Sequence, residues 1–268
     1  VTRSSFLGET VRFLVPERRI QLSQDALLAA CGDEWSVEQV SAAAELLAGG
    51  EGRFPPGIRS LPSGLVRAVQ RERLIAATMR ASAELAYGEF SVQDVIERAG
   101  VSRPTFYEHF DNKEDAFLAA LDSAETQLRR RLELAAAADA AGWRERLRLV
   151  LEGLLRFVRE EPDGATILIV DARGSSPAAL RRRDDLLERF AECLDTQVRA
   201  GLPDSEVSST ASAAGIVGGI ESLLYSRLYR GEAEEVESLL PSLMYFAVLP
   251  YEGHDAASEE LNAAAPVG

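Results

Sequence analysis

From residue 74 onward, apolar side chains recur at the three-and-four spacing of α-helices. Leu74, Ile75, Thr78, Ala81, Ser82, Leu85 and Ala86 fall on one face, and Gly88 is placed to end that helix in a left-handed conformation. Ser91 with Asp94 three residues later has the form of a capping box, and Val92, Val95, Ile96 and Ala99 make the apolar stripe of a short second helix closed by Gly100. Ser102 then caps a third helix, with Pro104 in the first turn, where its missing N–H costs nothing. Phe106 and Phe110 face inward, which leaves Arg103, Pro104, Thr105, Tyr107 and Glu108 outward.

The same periodicity continues. Asp111 or Asn112 caps a long fourth helix with Ala116, Phe117, Ala120 and Leu121 inside, reaching about Ala138. Trp143 to Glu161 is amphipathic and is stopped by Pro162-Asp163-Gly164. Thr166 to Val170 has strand-like residues but no second strand to pair with, so it reads as a buried helix. Ser176-Pro177 opens a helix to about Arg199, ended by Gly201 and Pro203. Ser205 to Arg230 reads as a long, small-residue-rich helix with Gly231 past its end, and Glu234 to Val248 as a last helix kinked near Pro241.

The pattern predicts an all-α protein. An extension, 1–50, holds two short helices, Ser23 to Cys31 and Ser36 to Gly49; a Gly/Pro/Ser-rich linker, 51–65, follows. A three-helix module occupies 66–112, a larger helical regulatory and dimerisation domain 113–251, and an acidic, Ala-rich tail, 252–268, reads as disordered. With no apolar run long enough to span a bilayer and no signal-peptide succession at residue 1, a cytoplasmic location without membrane contact is expected. Cys31 and Cys193 are too few for a disulfide framework and are expected reduced and buried.

Net charge changes the picture. The chain carries −14, yet residues 66–117 hold about seven basic and nine acidic groups, so most of the excess acid lies elsewhere. That distribution fits a small nucleic-acid module on an acidic body, and it disfavours indiscriminate binding to DNA.

The two short helices around Gly100 read as a helix-turn-helix. Gly100-Val101-Ser102-Arg103-Pro104-Thr105-Phe106-Tyr107-Glu108-His109-Phe110, followed by Asn112-Lys113-Glu114, resembles the TetR family of bacterial transcriptional regulators over about residues 70 to 118. Pro104 stands where the family carries a small residue. A recognition helix enters the major groove by its N-terminal residues, so Arg103, Pro104 and Thr105 are expected at base edges or phosphates and Tyr107 at a phosphate or thymine methyl. Ser91, Ser102, His109 and Lys113 complete the expected DNA-binding set.

The resemblance further implies a homodimer through the last two long helices, reading a palindromic double-stranded operator with half-sites ~34 Å apart. Gly215, Gly218, Gly219, Leu223 and Met244 are the interface candidates. It also implies a small-molecule effector bound within the regulatory domain, with Trp143, Phe157, Asp171, Arg173, Phe190 and Tyr225 as candidate lining residues. Effector binding would release DNA by a coupling of about 1–3 kcal/mol. A repressor is the leading expectation; the alternative is a helical interaction module that uses the three helices to bind a protein. No cofactor, metal set or nucleophile–base pair can be assembled from two histidines and two scattered cysteines, so no enzymatic activity is expected.

Overall fold

The computed structural model describes the backbone of residues 10–15 and 18–23, together with residues 62–202 and 210–262. The two short helices expected within 1–50, the linker before residue 62 and the last six residues lie outside the described residues.

Two strands, β1 (Thr10–Val15) and β2 (Arg18–Ser23), form an antiparallel hairpin in which Val11 pairs with Leu22, Phe13 with Ile20 and Arg12 with Gln21. Everything else described is helical. The all-α expectation therefore stands for the domains, with this hairpin as an unforeseen addition.

The first compact unit contains most of α1 (Ser63–Glu89) up to Ala81, with α2 (Val92–Ala99), α3 (Arg103–Tyr107) and the first turn of α4 (Lys113–Ala136) through Phe117. Its core is Leu65, Val69, Leu74, Phe90, Val95, Ile96, Phe106, Phe110 and Phe117, each at most 6 % exposed. Leu74, Val95, Ile96, Phe106, Phe110 and Phe117 are inward positions of the predicted stripes, to which the fold adds Leu65, Val69 and Phe90; burying each large side chain contributes about 1.5–3 kcal/mol. Ser63–Leu65 belong to the helix and not to the linker, because Leu65 is fully buried and Val66 N–H already donates to Pro62 O.

The end of α1 corrects the sequence reading. The left-handed residue is Ala86 (φ 63°, ψ 158°), where the helix kinks, and Gly88 has no positive φ. Leu85 and Ala86, just before and at the kink, are exposed although Ser82 is buried.

The second unit comprises residues 82–89 and the rest of α4, then α5 (Trp143–Glu160), α6 (Pro162–Ile169), a 3₁₀ turn at Asp171–Arg173, α7 (Pro177–Gly201), α8 (Thr210–Tyr229), a 3₁₀ segment at Ala233–Leu239 and α9 (Leu240–Asn262). Leu121, Leu155, Phe157, Ile167, Leu224 and Leu243 are its largest fully buried side chains. The strand-like run at 166–170 is helical, with Val170 N–H donating to Thr166 O at 2.8 Å. Gly201 closes α7 against Trp143, whose ring lies 2.8 Å from where a Cβ would sit.

The C-terminal end departs most from expectation. Pro241 lies in the first turn of α9 and does not kink it; the break falls at Gly253 (φ 82°). Residues 252–262, expected to be disordered, are helical because the charges that suggested disorder are paired. Glu260, 4 % exposed, accepts from Arg144 Nε at 2.7 Å and also pairs with Arg148, while Arg144 pairs with Glu259 at 3.1 Å. Tyr251 packs edge-on against Trp143 at 5.8 Å. Cys193, expected to be buried, is exposed on α7. Among the described residues no helix is long and apolar enough to cross a membrane.

Candidate nucleic-acid interface

The turn between α2 and α3 is built by local hydrogen bonding. Ser91 Oγ accepts from Asp94 N–H at 3.4 Å, and the Asp94 carboxylate accepts from Ser91 N–H at 2.8 Å and Ser91 Oγ–H at 2.6 Å. Those Ser91 bonds, with Arg98 alongside, hold the Asp94 carboxyl below its ordinary value against slight desolvation. Gly100 (φ 61°, ψ 41°) ends α2 with its N–H on Glu97 O, and Val101 N–H reaches Ile96 O at 3.3 Å. A Cβ on Gly100 would meet Arg73 Nη2 at 2.9 Å, and the same Nη2 donates to Gly100 O at 3.4 Å. The left-handed backbone favours glycine here, and any side chain would also have to displace the Arg73 guanidinium.

Ser102 caps α3 by accepting from Thr105 N–H at 3.2 Å, and its hydroxyl lies 2.8 Å from Thr105 Oγ1. Phe106 is fully buried and anchors the helix from below, 5.9 Å from Phe110. Arg103, Pro104 and Tyr107 are thereby left exposed on one short face, Tyr107 at 49 %, with the Arg103 guanidinium 5.9 Å above the Tyr107 ring. Thr105 is half-buried.

Two expected DNA-binding residues are turned inward. Lys113 Nζ donates to Phe90 O at 3.0 Å and sits 4.8 Å over the Phe90 ring, so its ammonium braces the entry to α2. His109 packs against Phe110, and its Nε2 is buried without a hydrogen-bond partner. Burial holds the imidazole below its usual value, reinforced by Arg67 and Arg71 and opposed by Glu108. Arg67 Nη2 donates to Glu108 O at 3.1 Å, fixing the C-terminal end of α3. On α1, burial pushes the Glu72 carboxyl up to about 7, against the pull of Arg71 at 3.8 Å.

The candidate effector residues do not converge on one place. Trp143 lies against Gly201 and Tyr251, and Phe157 is fully buried under Arg131, whose guanidinium is 5.7 Å from its ring; both are core. Phe190 is half-buried on α7. Arg173 and Tyr225 meet, whereas Asp171, two residues before Arg173, is held by Ser82. Asp171 is 7 % exposed and accepts from Ser82 Oγ–H at 2.6 Å; burial pushes its carboxyl up to about 6, and the serine bond pulls the other way. Arg173 is 4.5 Å above the Tyr225 ring, and Tyr225 stacks on Tyr229. Glu221, buried on α8, accepts from Arg173 Nε at 3.1 Å and from Arg183 Nη2 at 2.8 Å.

Residues 74–120 match the family model for bacterial regulatory proteins of the tetR family. The chain is also 25 % identical over 190 residues to the HTH-type transcriptional regulator YdgC of Bacillus subtilis, covering 69 % of this chain and 95 % of that protein. Over that segment and against that relative, the chain is similar to TetR-family transcriptional regulators. The HTH-type transcriptional activator FasR of Mycolicibacterium smegmatis is 28 % identical over 118 residues, 42 % of this chain and 52 % of that one. In fold, the chain is similar to a TetR-like regulator from Rhodococcus sp. RHA1 (TM-score 0.60, 23 % identity, 71 % and 97 % of the two chains). It is similar as well to the regulator FadR of Bacillus subtilis, solved with stearoyl-CoA (TM-score 0.58, 20 % identity, 68 % and 97 %).

The glycine-rich helix α8 divides the interface candidates. Gly215 and Gly218 border open space and Leu223 is 44 % exposed, whereas a Cβ on Gly219 would strike the Phe246 ring at 2.6 Å and Met244 is fully buried within its own chain. Gly219 and Met244 therefore serve internal packing. Sequence reasoning passed over Glu221, although a signal existed: it is the one acidic residue of α8, and everything before it in that helix is apolar or small. It also passed over Arg73 and Arg67, which look on sequence like solvated charges of α1.

Proposed function

We propose that this regulator binds a palindromic operator as a homodimer and represses by occlusion until a small-molecule effector releases it. The observation that carries the reading is the capped helix α3, which holds Arg103 and Tyr107 exposed above a fully buried Phe106. Arg103 is the candidate for bidentate reading of guanine, and Pro104, Thr105 and Tyr107 flank it at the groove. Ser91 and Ser102 lie at helix N-termini, where backbone N–H groups favour phosphate oxygens. Lys113 and His109 act from below, by holding α2 and α3 at their bearing.

Dimerisation runs through Gly215, Gly218 and Leu223 on α8, the part of that helix left open in the single chain. Small residues there let a second backbone approach closely. The effector is read through Arg173 on the Tyr225 ring, where a guanidinium and an aromatic face offer recognition at the edge of an apolar core, with the buried Asp171 carboxyl two residues along the chain. Because one structural neighbour holds stearoyl-CoA, a long-chain acyl thioester is the first effector class to test.

Selection of bound sequences from random DNA tests the function and the half-site spacing together. The expected product is an inverted repeat with centres about one turn apart, to which Arg103→Ala and Tyr107→Ala no longer bind. Recovery of no preferred sequence would favour the protein-interaction alternative. Transcription from a promoter carrying the selected site decides between repression and activation, the latter being the role in FasR's name.

A further inference from the structure

The helix-turn-helix unit has little charge with which to hold DNA. Residues 63–81 and 90–117 contain seven basic and seven acidic side chains. Of the basic ones, Lys113 is bonded to Phe90 and Arg98 lies 3.6 Å from Asp94. Duplex affinity comes largely from neutralised phosphates, so a further basic element is needed.

The hairpin supplies one. β1 and β2 carry Arg12, Arg18 and Arg19 and no acidic residue, in a chain of net charge −14. Paired and alternate positions of the register share a face, so Thr10, Arg12, Leu14, Arg19, Gln21 and Ser23 occupy one register face. Its positions are held by two arginines, a glutamine, a threonine and a serine, residue types that bond phosphate oxygens. Arg12 and Arg19 are diagonal neighbours, about 7–8 Å apart, a separation spanning roughly two phosphates at one charge per ~3.4 Å of strand. Six residues per strand give a ribbon ~20 Å long, and a two-stranded ribbon is of a size the major groove admits.

We propose that the hairpin β1–β2 is a second DNA-contacting element, docking on the phosphate backbone through the register face that holds Arg12 and Arg19. The inference rests on the DNA-binding reading of α3. It assigns the N-terminal extension a share of the affinity and none of the sequence preference.

The test is a salt titration of the full-length chain on its selected operator, comparing wild type, the double variant Arg12→Gln/Arg19→Gln, and Arg103→Ala. The double variant is expected to bind at least about tenfold more weakly at low salt and to lower the slope of log K against log salt by about two, with the preferred sequence unchanged. Hydroxyl-radical footprinting of the wild type should show backbone protection beyond that left by a chain lacking residues 1–23. Unchanged affinity and slope in the double variant, with Arg103→Ala inactive, would overturn the hairpin proposal alone. If Arg103→Ala also binds normally, the reading of α3 fails. A weaker complex with unchanged slope also overturns the proposal, because the loss is then not of phosphate contacts. So does capture of the wild type, but not the double variant, by phosphatidylglycerol vesicles with DNA binding unaffected.

Discussion

Ser82 Oγ–H donates to Asp171 Oδ2 at 2.6 Å, joining the last turns of α1 to the 3₁₀ turn after α6 through two buried polar side chains. The bond makes a buried carboxyl tolerable without making it favourable, since burial still raises it to about 6. A carboxyl raised from 3.8 binds its proton more tightly in the folded state than in the unfolded one. Its contribution is fully present below pH ~4 and is lost as pH rises through about 6. Asp171→Asn is therefore expected to be more stable than wild type at pH 7.5, by on the order of 2 kcal/mol, and no more stable at pH 4. Urea unfolding of both proteins at the two pH values checks this. Ser82→Ala should cost about 1–3 kcal/mol at neutral pH by stranding the carboxylate.

Gly100→Ala is expected to destabilise the first unit by about 1–2 kcal/mol, because it combines a left-handed backbone with a Cβ 2.9 Å from Arg73 Nη2. Arg73→Ala in the same background removes the crowding and leaves the backbone strain. Thermal melts of the two single variants and the double variant separate these terms by their non-additivity.

Gly218→Leu and Gly219→Leu should behave differently despite being neighbours. The first adds a side chain in open space, so it leaves the single chain's stability within about 0.5 kcal/mol and halves the light-scattering mass if α8 is the dimer interface. The second meets Phe246 in its own chain and should lower the melting temperature whatever the oligomeric state.

Glu260→Ala removes a carboxylate that pairs with both Arg144 and Arg148. Loss of one partner of a buried pair costs about 3–5 kcal/mol; with both arginines roughly a quarter exposed, about 2–3 kcal/mol is expected. Limited proteolysis should then cut within residues 252–262, which the wild type protects. Equal cleavage of both proteins would refute the clamp.

Lys113→Gln distinguishes a brace from a phosphate contact. With Nζ on Phe90 O, the variant should lose about 1 kcal/mol of stability and leave the salt slope of operator binding unchanged, whereas a phosphate ligand would lower it by about one.

The helix-turn-helix was legible because its determinants are local. The Ser91–Asp94 box, Gly100, the Ser102 cap and the Phe106/Phe110 pair each act within five residues. What escaped is non-local. Arg73 and Glu221 look like ordinary helix charges until the fold brings Gly100 to one and two arginines to the other. Residues 252–262 read as disordered because their partners, Arg144 and Arg148, lie more than a hundred residues earlier. At Ala86 the left-handed residue is not the nearby glycine, and no local propensity favours alanine there. The hairpin did leave a trace in Val11, Phe13 and Val15 alternating before Pro16, with Ile20 and Leu22 after Glu17.

The Arg73 bond to Gly100 O means that the bearing of the recognition helix is underwritten by a side chain from the first helix. In a genetic selection for mutants that no longer hold the operator, losses at Arg73, Gly100 and Arg67 should score alongside losses at Arg103. Only the last would be rescued by a compensating base change in the DNA, so suppressor genetics alone can sort residues that read the sequence from those that aim the reader.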